Sequence, residues 1–500
     1  MTDIPQHPPD RQASGRTLAS GIAYLTLAGL AMNVCLFLVN LALIHVYGKA
    51  VHGGVAWLVS VAGIAVGLSD LGIASAAAAR SIARRRAEDA SDLGRTVATW
   101  MTLQMLLGIV AAAGAAVLAE PLAGLCKGVS AADLRIGALW ILGLTGIRAC
   151  AMVAVGFEAM RESLLMSPVA ELARLLAVLA AWAAGAPIRW LLIAWAGCYA
   201  LSIAVSAWRV RALTRRAGVK VRFSAVRPVG LAAAAAEALP YYVPFLGLFC
   251  LPFAAQVMVG ISWPREQISI FQVCFSLAMT VRLVSAPIAG AILPRVAHID
   301  ASHADHSQTG DVLRQSARLL GSVSTLLFAG AVALAGPVMR ILYGPAYADN
   351  VDTLLVLLAF GAVDSYAMPL DQVLKATRHV GLVAALEAAR YAIMLAIAWW
   401  SVPAYGPIGA AWAILAGLLA ATLVKMLVAR RLVGSLGAAA LAAAGAVLLI
   451  LAAISRIEIG AYLAIPAWLA AALALRLLRP ADLAQWARII RDAMRKRASR

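Results

Sequence analysis

Charged residues are scarce in this sequence. Only 13% of its 500 residues are Asp, Glu, Lys or Arg, whereas 63% are hydrophobic, and the mean hydropathy is +0.87. No soluble core could cover so much apolar surface. The composition therefore excludes a soluble globular protein and indicates a membrane protein.

Motifs for catalysis and for nucleotide hydrolysis are absent. The sequence has no GxxxxGK[ST] phosphate loop, no HExxH and no GxSxG. Its hydrophobic runs are also too closely spaced to leave room for a soluble catalytic domain. We therefore expect a protein that is not an enzyme.

Cysteine is scarce and follows no pattern. The six cysteines form no CxxC pair, and all but Cys126 lie in apolar runs, so we interpret them as packing residues. The stretch HIDASHADH at 298–306 has metal-ligand residue types, but a solvated polar loop has the same composition. We expect no metal and no cofactor.

Long apolar runs fill the rest of the chain. A spanning helix needs roughly 20 apolar residues, and the sequence predicts an all-α polytopic protein with about fourteen of them. The predicted spans are residues 17–45, 55–79, 96–118, 135–157, 164–186, 190–208, 229–258, 268–293, 317–335, 351–373, 380–401, 406–428, 434–454 and 459–478.

The formal net charge of +18 is concentrated in a few segments. Lys and Arg collect at 80–95, at 209–227 and after Pro480, whereas the loops between them carry single charges. Since cytoplasmic loops are rich in Lys and Arg, this distribution and the even number of spans predict that both termini are cytoplasmic and that there is no nucleic-acid partner. The last segment alternates apolar and basic residues at helical spacing, which is typical of a helix on anionic membrane lipids.

An internal repeat relates two halves of the sequence. A shift of 216 residues aligns identical residues of uncommon types, namely Pro121/Pro337, Gly128/Gly344, Asp133/Asp349, Met152/Met368, Glu171/Glu387 and Arg174/Arg390. Because an even number of spans separates the halves, they share one topology and predict two pseudo-symmetric six-helix lobes around a central cavity.

The repeat divides the chain into six parts. These are a cytoplasmic N-terminal tail (1–16), an N-terminal lobe (17–208), a basic cytoplasmic interlobe loop (209–228), a C-terminal lobe (229–428), two appended helices (429–478) and a basic amphipathic cytoplasmic tail (479–500).

Ionisable residues within the spans are candidate functional residues, since an unpaired charge near the bilayer centre costs several kcal/mol. Glu171 and Arg174 lie one helical turn apart, as do Glu387 and Arg390. They either form ion pairs that join helices or present guanidinium groups to a pyrophosphate in the cavity.

Two further arginines are candidates. Arg148 and Asp364 occupy equivalent positions of the two repeats, where an opposite-charge pair would either gate the lobes or serve structure alone. Arg282 has no acidic neighbour at helical spacing, which makes it a candidate anion ligand, with snorkelling to the surface as the alternative.

Carboxylates and prolines are candidates for coupling and gating. Asp70 and Glu237 could carry a coupling proton if burial raised the pKa of either group, whereas Asp371 is expected to pair with Lys375 one turn away. Proline removes backbone hydrogen bonds from a helix, so the span 229–258 is predicted to bend and to act as a gate at its prolines, among them Pro240 and Pro244.

Four stretches form distinctive motifs. They are GLSDLGIASAAAARSIARR (67–85), AILPRVA (291–297), PVMRILYGPAYADNVDTLLVLLAFG (337–361) and YGPIGAAWAILAGLL (405–419). In the third, Gly344 suits a positive φ, and Asp349, like Asp133, suits a helix N-cap. With these motifs, nearly the whole chain resembles the polysaccharide flippase (Wzx-like) branch of the multidrug/oligosaccharidyl-lipid/polysaccharide (MOP) exporter superfamily.

The resemblance implies a protein of the bacterial inner membrane that moves an undecaprenyl-pyrophosphate-linked oligosaccharide across the bilayer by alternating access. The oligosaccharide would serve exopolysaccharide, capsule or O-antigen synthesis. It further implies coupling to H⁺ or Na⁺ and contact with a polysaccharide polymerase and export machinery. The candidate pyrophosphate ligands for such a substrate are the charged residues already singled out, Arg174, Arg390, Arg282 and Arg148, and the coupling or gating candidates are Asp70, Glu171, Glu237, Asp364, Glu387, Pro240 and Pro244.

Two alternatives stay open. A drug/cation antiporter of the same superfamily would rely on cavity carboxylates such as Asp70 or Glu237. A membrane-embedded glycan polymerase or glycosyltransferase would need a large external loop with paired catalytic residues, whereas the outward loops here reach only about 17 residues. The strongly polar mid-span residues of the first span are Asn33 and Asn40. The span therefore has neither the cavity arginines of peptidoglycan-precursor flippases nor the carboxylate of many drug exporters.

Overall fold

The computed structural model of the protein describes residues 11–70, 77–88, 92–157, 159–281, 306–376, 379–433, 445–447, 450 and 460–475. Within these ranges the regular secondary structure is entirely helical. The predicted all-α fold class is therefore confirmed.

The helices follow one another with short connections. They are α1 (Arg11–Tyr47), α2 (Lys49–Asp70), α3 (Ala78–Glu88), α4 (Leu93–Val117), α5 (Ala119–Leu125), α6 (Ala131–Gly156), α7 (Met160–Ala183), α8 (Ile188–Arg216), α9 (Pro228–Ser262), α10 (Arg265–Ala278), α11 (His306–Tyr343), α12 (Pro345–Ala348), α13 (Val351–Ala376), α14 (Val380–Tyr405), α15 (Pro407–Val433) and α16 (Gly460–Ala474), with a 3₁₀ turn at Phe223–Ala225.

Eight described helices contain segments long and apolar enough to cross a bilayer, namely α1, α2, α4, α6, α8, α11, α14 and α15. The chain is thus a multi-pass membrane protein. The count of fourteen stays a prediction, because the predicted spans 268–293, 434–454 and 459–478 fall partly outside the described residues.

Helix boundaries differ from the predicted ones where polar residues continue a helix. The helix α11 begins at His306, within the stretch 298–306 that we expected to be a loop, and ends at Tyr343, beyond the predicted 317–335. Residues 298–305 lie outside the described residues. Apolar content locates the membrane-crossing part of a helix and does not register its solvated ends.

The N-terminus of α6 is closed by a capping box, which corrects the role predicted for Asp133. Ser130 is the N-cap residue: its hydroxyl accepts a hydrogen bond from the Asp133 N–H at 3.1 Å, and the Asp133 carboxylate accepts one from the Ser130 N–H at 3.2 Å. Asp349, which we also expected to be an N-cap, is instead the C-cap residue of α12.

Each repeat contains a glycine with positive φ shortly before a helix. Gly128 and Gly344 have φ values of +83° and +88°, a region that residues with a Cβ rarely enter. The positive φ predicted for Gly344 is confirmed. Since each glycine precedes a helix start in its own repeat, the common backbone conformation supports the repeat inferred from sequence.

Backbone contacts divide the chain into two compact units. The first unit comprises Met1–Val273 and Glu387–Ile414, and the second comprises Cys274–Leu386 and Leu415–Arg500. The predicted lobes 17–208 and 229–428 stay a prediction.

The first unit is organised around α6, which packs against α2, α3, α4, α5, α7 and α8. Trp140 of α6 and Trp195 of α8 are buried with ring centroids 5.6 Å apart, and the indole N–H of Trp140 donates to the Leu192 carbonyl at 3.2 Å. Ala62 and Val66 of α2 form a buried apolar cluster with Ile141 of α6. These contacts position the part of α6 that carries Arg148.

The second unit is built on α11, which packs against α12, α13 and α16. A buried hydrogen bond joins two of these helices: the indole N–H of Trp468 in α16 donates to Thr325 Oγ1 in α11 at 2.9 Å. Ser324 and Thr325 of α11 also hydrogen bond back to the Gly321 carbonyl, as polar side chains do in apolar surroundings.

Replacement of Gly53 by Ala tests the packing of α2 on the start of α10. A Cβ at Gly53 would overlap the Arg265 backbone carbonyl, which cannot move aside as a side-chain end can. We expect destabilisation by about 3 kcal/mol, measured by denaturation of the protein in mixed micelles. The control is Gly197→Ala in α8, where no atom lies within 4 Å of the added Cβ; equal stability of the two variants would contradict this packing.

Labelling of Cys126 tests the burial of the segment between α5 and α6. Burial raises the pKa of the Cys126 thiol to about 11, although Arg265 offsets part of the rise. At about pH 8 only roughly a thousandth of the thiol is then the reactive thiolate. We expect maleimide to modify Cys126 far more slowly in the folded than in the denatured protein, followed by peptide mass spectrometry; rapid labelling of folded protein would refute the burial.

Candidate functional site

An ion pair joins α2 to α6 inside the first unit. Nε and Nη2 of Arg148 each lie 2.8 Å from Oδ2 of Asp70, the last residue of α2. The Asp70 side chain is fully buried, whereas 26% of the Arg148 side chain is exposed. Arg148 is therefore the member of the pair that another molecule can reach.

Aromatic residues of α9 form one wall beside this pair. The Phe249 ring lies under the guanidinium of Arg148, with 4.8 Å between the guanidinium carbon and the ring centroid, and itself packs edge-on against Phe253. The Tyr242 hydroxyl donates to the Leu68 carbonyl at 3.1 Å. These contacts hold α9 against the end of α2, so the guanidinium has a defined orientation.

Arg174 lies in a second, more enclosed pair. Its Nη1 donates to both carboxylate oxygens of Glu171, at 2.8 and 3.1 Å, and its guanidinium carbon lies 4.0 Å from the Trp195 ring centroid and 5.7 Å from that of Tyr199. Only 6% of the Arg174 side chain is exposed. In this conformation the geometry favours the ion-pair alternative, and pyrophosphate binding by Arg174 stays a prediction.

The repeat counterpart of that pair has the same form. Nη1 of Arg390 lies 3.3 Å from Oε2 of Glu387, and both side chains are buried within α14. Both ExxR sequences thus form ion pairs between residues three positions apart. A role of Arg390 in anion binding stays a prediction.

Asp371 has a partner other than the expected one. Its carboxylate lies 2.7 Å from the ammonium of Lys425, which is buried in α15. We expected Lys375, whose side chain lies outside the described residues. Lys425 went unnoticed in the sequence although it lies inside the predicted span 406–428; a lysine within an apolar run was the signal that could have found it.

The three remaining charged candidates, Asp364, Glu237 and Arg282, lie in different parts of the chain. Asp364 is buried in α13 of the second unit, and its predicted contact with Arg148 stays a prediction. Glu237 is exposed on α9, so it lacks the burial on which its coupling role was based. Arg282 lies outside the described residues.

The predicted gate prolines do not end their helix. α9 continues as one helix from Pro228 to Ser262, through Pro240 and Pro244, whose side chains lie outside the described residues. Proline within a spanning helix is tolerated where neighbours satisfy the freed carbonyls. The gate therefore stays a prediction.

A buried polar network near the start of α2 was missed by sequence reasoning. The His52 ring bridges two side chains, with Nδ1 2.7 Å from Ser269 Oγ and Nε2 3.3 Å from Asn40 Oδ1. His52 lies between two predicted spans, so no feature of the sequence distinguished it from a loop residue.

The site as a whole is a set of buried charges that are compensated within each unit. Within the described part of the chain, no group of three or more His, Cys, Asp or Glu residues is placed to hold a metal ion. Such an arrangement can bind and release a charged group by exchanging ion-pair partners, because a neutral pair costs far less in hydrocarbon than a lone charge.

Sequence comparison finds no relative. No family model matches the chain, and no curated protein sequence matches it.

Comparison with solved structures finds transporters. The lipid II flippase MurJ in an inward closed conformation matches with a TM-score of 0.69 at 10% identity, covering 90% of this chain and 97% of that one. A MATE family multidrug resistance transporter of the MOP superfamily, facing inward, also has a TM-score of 0.69, at 14% identity, covering 82% and 98%. A MOP superfamily transporter from Pyrococcus furiosus, described as having a binding pocket of reversed polarity, has a TM-score of 0.61 at 16% identity, covering 83% and 96%.

Identities of this size establish a shared fold and nothing finer. The chain has the fold of the MOP superfamily transporters, to which both MATE and MurJ structures correspond. Together with its apolar helices, this defines a multi-pass membrane protein with the fold of these structures.

Replacement of Arg148 by Ala tests the ion pair. It removes the guanidinium that pairs with the buried Asp70 carboxylate, so we expect a loss of about 3 kcal/mol in the free energy of unfolding. The double variant Asp70→Asn/Arg148→Ala should recover most of that loss. The control is Arg135→Ala, since Arg135 pairs with Glu120 in an exposed position and should contribute less than about 1 kcal/mol. Additive losses in the double variant would contradict the pairing.

Proposed function

We propose that the protein translocates an undecaprenyl-pyrophosphate-linked oligosaccharide across the inner membrane by alternating access, for exopolysaccharide, capsule or O-antigen synthesis. It carries out no covalent chemistry. The observation that carries the proposal is Arg148: a guanidinium within a membrane span, partly exposed, held by Asp70 and stacked on Phe249.

The chemistry of arginine suits this substrate. The planar guanidinium donates in a fork that matches phosphate oxygens, and its charge is permanent. Stacking on an aromatic ring fixes its plane before a ligand arrives. A fold shared with a lipid II flippase over 90% of this chain is consistent with such a substrate.

Substrate binding and coupling meet at Asp70. A pyrophosphate that approaches Arg148 competes with the Asp70 carboxylate for the same donors. Ion binding and substrate binding would thus use one pair of residues, with H⁺ as the coupling ion and Na⁺ as the alternative.

Further charges would act at other stages of the cycle. Arg174, Arg390 and Arg282 are proposed as additional pyrophosphate ligands, with Glu171, Glu387, Asp364 and Glu237 exchanging partners with them or gating the cavity. The hinge is proposed at Pro240 and Pro244. We further propose cytoplasmic termini and contact with a polysaccharide polymerase and export machinery.

A second candidate function is drug/cation antiport. It is favoured by the Asp70 carboxylate at the end of a membrane span, which could exchange Arg148 for a cation when the helices move apart, and by the fold shared with MATE transporters. Deletion would then sensitise cells to cationic dyes and leave surface polysaccharide unchanged, and Asp70→Asn would abolish resistance.

A leaflet assay tests the first function. In cells lacking the protein, we expect the undecaprenyl-linked oligosaccharide to accumulate in the cytoplasmic leaflet, and wild-type protein should clear it. Arg148→Lys should clear it at least about tenfold more slowly, because lysine keeps the charge opposite Asp70 and loses the phosphate-binding fork.

Abundance and folding of Arg148→Lys should match wild type. The control is Arg135→Lys, which exchanges the same residue types at an exposed surface pair and should transport normally. A normal leaflet distribution in cells lacking the protein would end the flippase assignment.

A further inference from the structure

An apolar groove lies between α2 and α4 in the first unit. Its volume is about 450 Å³, and α5 and α9 close one end of it. Its walls are apolar except for Ser69 and include Val61, Leu68, Val110, Gly114, Leu122 and Val257. Leu68 and Val110 are more than half exposed, so the groove opens towards the bilayer.

A polar pocket adjoins the groove. It has a volume of about 470 Å³ and is formed by the α5–α6 connection and the α9–α10 connection. Its charged lining residues are Lys127, Arg265 and Glu266, so the pocket carries a net positive charge.

The two cavities lie next to each other along two helices. Leu122 lines the groove and Leu125 lines the pocket, three residues further along the same face of α5; Val257 and Gly260 do the same along α9. At about 1.5 Å of rise per residue, less than one helical turn separates the cavities along both walls. A single molecule with an apolar and a polar part can therefore occupy both.

The pocket positions its arginine by built-in contacts. Nη1 of Arg265 donates to the Gly128 carbonyl at 2.9 Å, and a Cβ at Gly128 would overlap the guanidinium. The indole N–H of Trp263 donates to the Val402 carbonyl at 2.7 Å, which holds the opposite wall. Lys127 is exposed and can follow a ligand as a point charge.

We propose that the two cavities together bind one anionic phospholipid of the bilayer, with an acyl chain in the groove and the phosphate against Lys127 and Arg265. A ligand with both an apolar and an anionic part uses both cavities. A purely apolar ligand would make no contact with the cations, and a soluble phosphate would leave the groove empty. A cavity of this volume holds a drug-sized molecule, which suits one acyl chain and is too small for an undecaprenyl chain. The site is separate from the Asp70–Arg148 pair and does not rest on the proposed transport function.

Native mass spectrometry of the purified full-length protein tests the site. The probes are phosphatidylglycerol and phosphatidylcholine at equal concentration, and we expect preferential retention of phosphatidylglycerol. Lys127→Gln removes one charge-assisted contact and should lower that retention about five- to tenfold. Gly114→Leu should lower it as well, because no atom lies within 4 Å of a Cβ there and the added side chain would fill the groove.

Two matched variants control for charge and for bulk. Arg135→Gln removes an exposed charge at the start of α6, and Gly197→Leu adds the same side chain to an open position on α8. Neither should change lipid retention. Lys127→Gln tests the site even if Gly114→Leu fails to fold.

Three results would overturn the proposal. Equal retention of the two phospholipids would show that the site does not select an anionic headgroup. Retention that neither site variant changes would show that the lipid binds elsewhere. Displacement of phosphatidylglycerol by equimolar undecaprenyl phosphate, or by inorganic phosphate, would reassign the site to a substrate lipid or to a free anion.

Discussion

Hydrocarbon gives an ionised side chain no solvation, and the structure depends on how each charge inside a span is compensated. In the described residues, carboxylates lie against Arg148, Arg174, Arg390 and Lys425. Removal of one partner from such a pair leaves a charge that costs several kcal/mol, so these helices must be inserted and packed together. Compensation is thus a condition of the fold before it is a feature of any site.

The pairs fall into two kinds. Glu171–Arg174 and Glu387–Arg390 are each formed within one helix, so they neutralise the helix before it packs. Asp70–Arg148 and Asp371–Lys425 each join two helices and depend on tertiary structure. A pair within one helix can persist through a conformational change of the protein, whereas a pair between helices can be opened by it. This difference makes Asp70–Arg148 the better place for a step that alternates between two partners.

The proposed phospholipid site and the ion pair use the same helices for different purposes. α2 ends at Asp70 and also lines the apolar groove, while α9 carries Phe249 beside Arg148 and Val257 in the groove. A lipid wedged between α2 and α4 would therefore bear on the helix that ends in the buried carboxylate. Lipid composition would then influence the stability of the same part of the first unit.

The sequence by itself determined that this protein lies in a membrane, that its fold is helical, that Gly344 has a positive φ, and which charged residues are candidates. Each follows from composition or from local chain geometry: apolar length gives the spans, glycine permits the turn, and one turn of helix places Glu387 beside Arg390. Tertiary structure alone decided which distant residues meet. Arg148 pairs with Asp70 and Asp371 with Lys425 because helix packing sets those neighbours. The His52 network likewise required α1, α2 and α10 to come together. The sequence shows which residues are charged, but helix packing decides which residue of another helix each charge contacts.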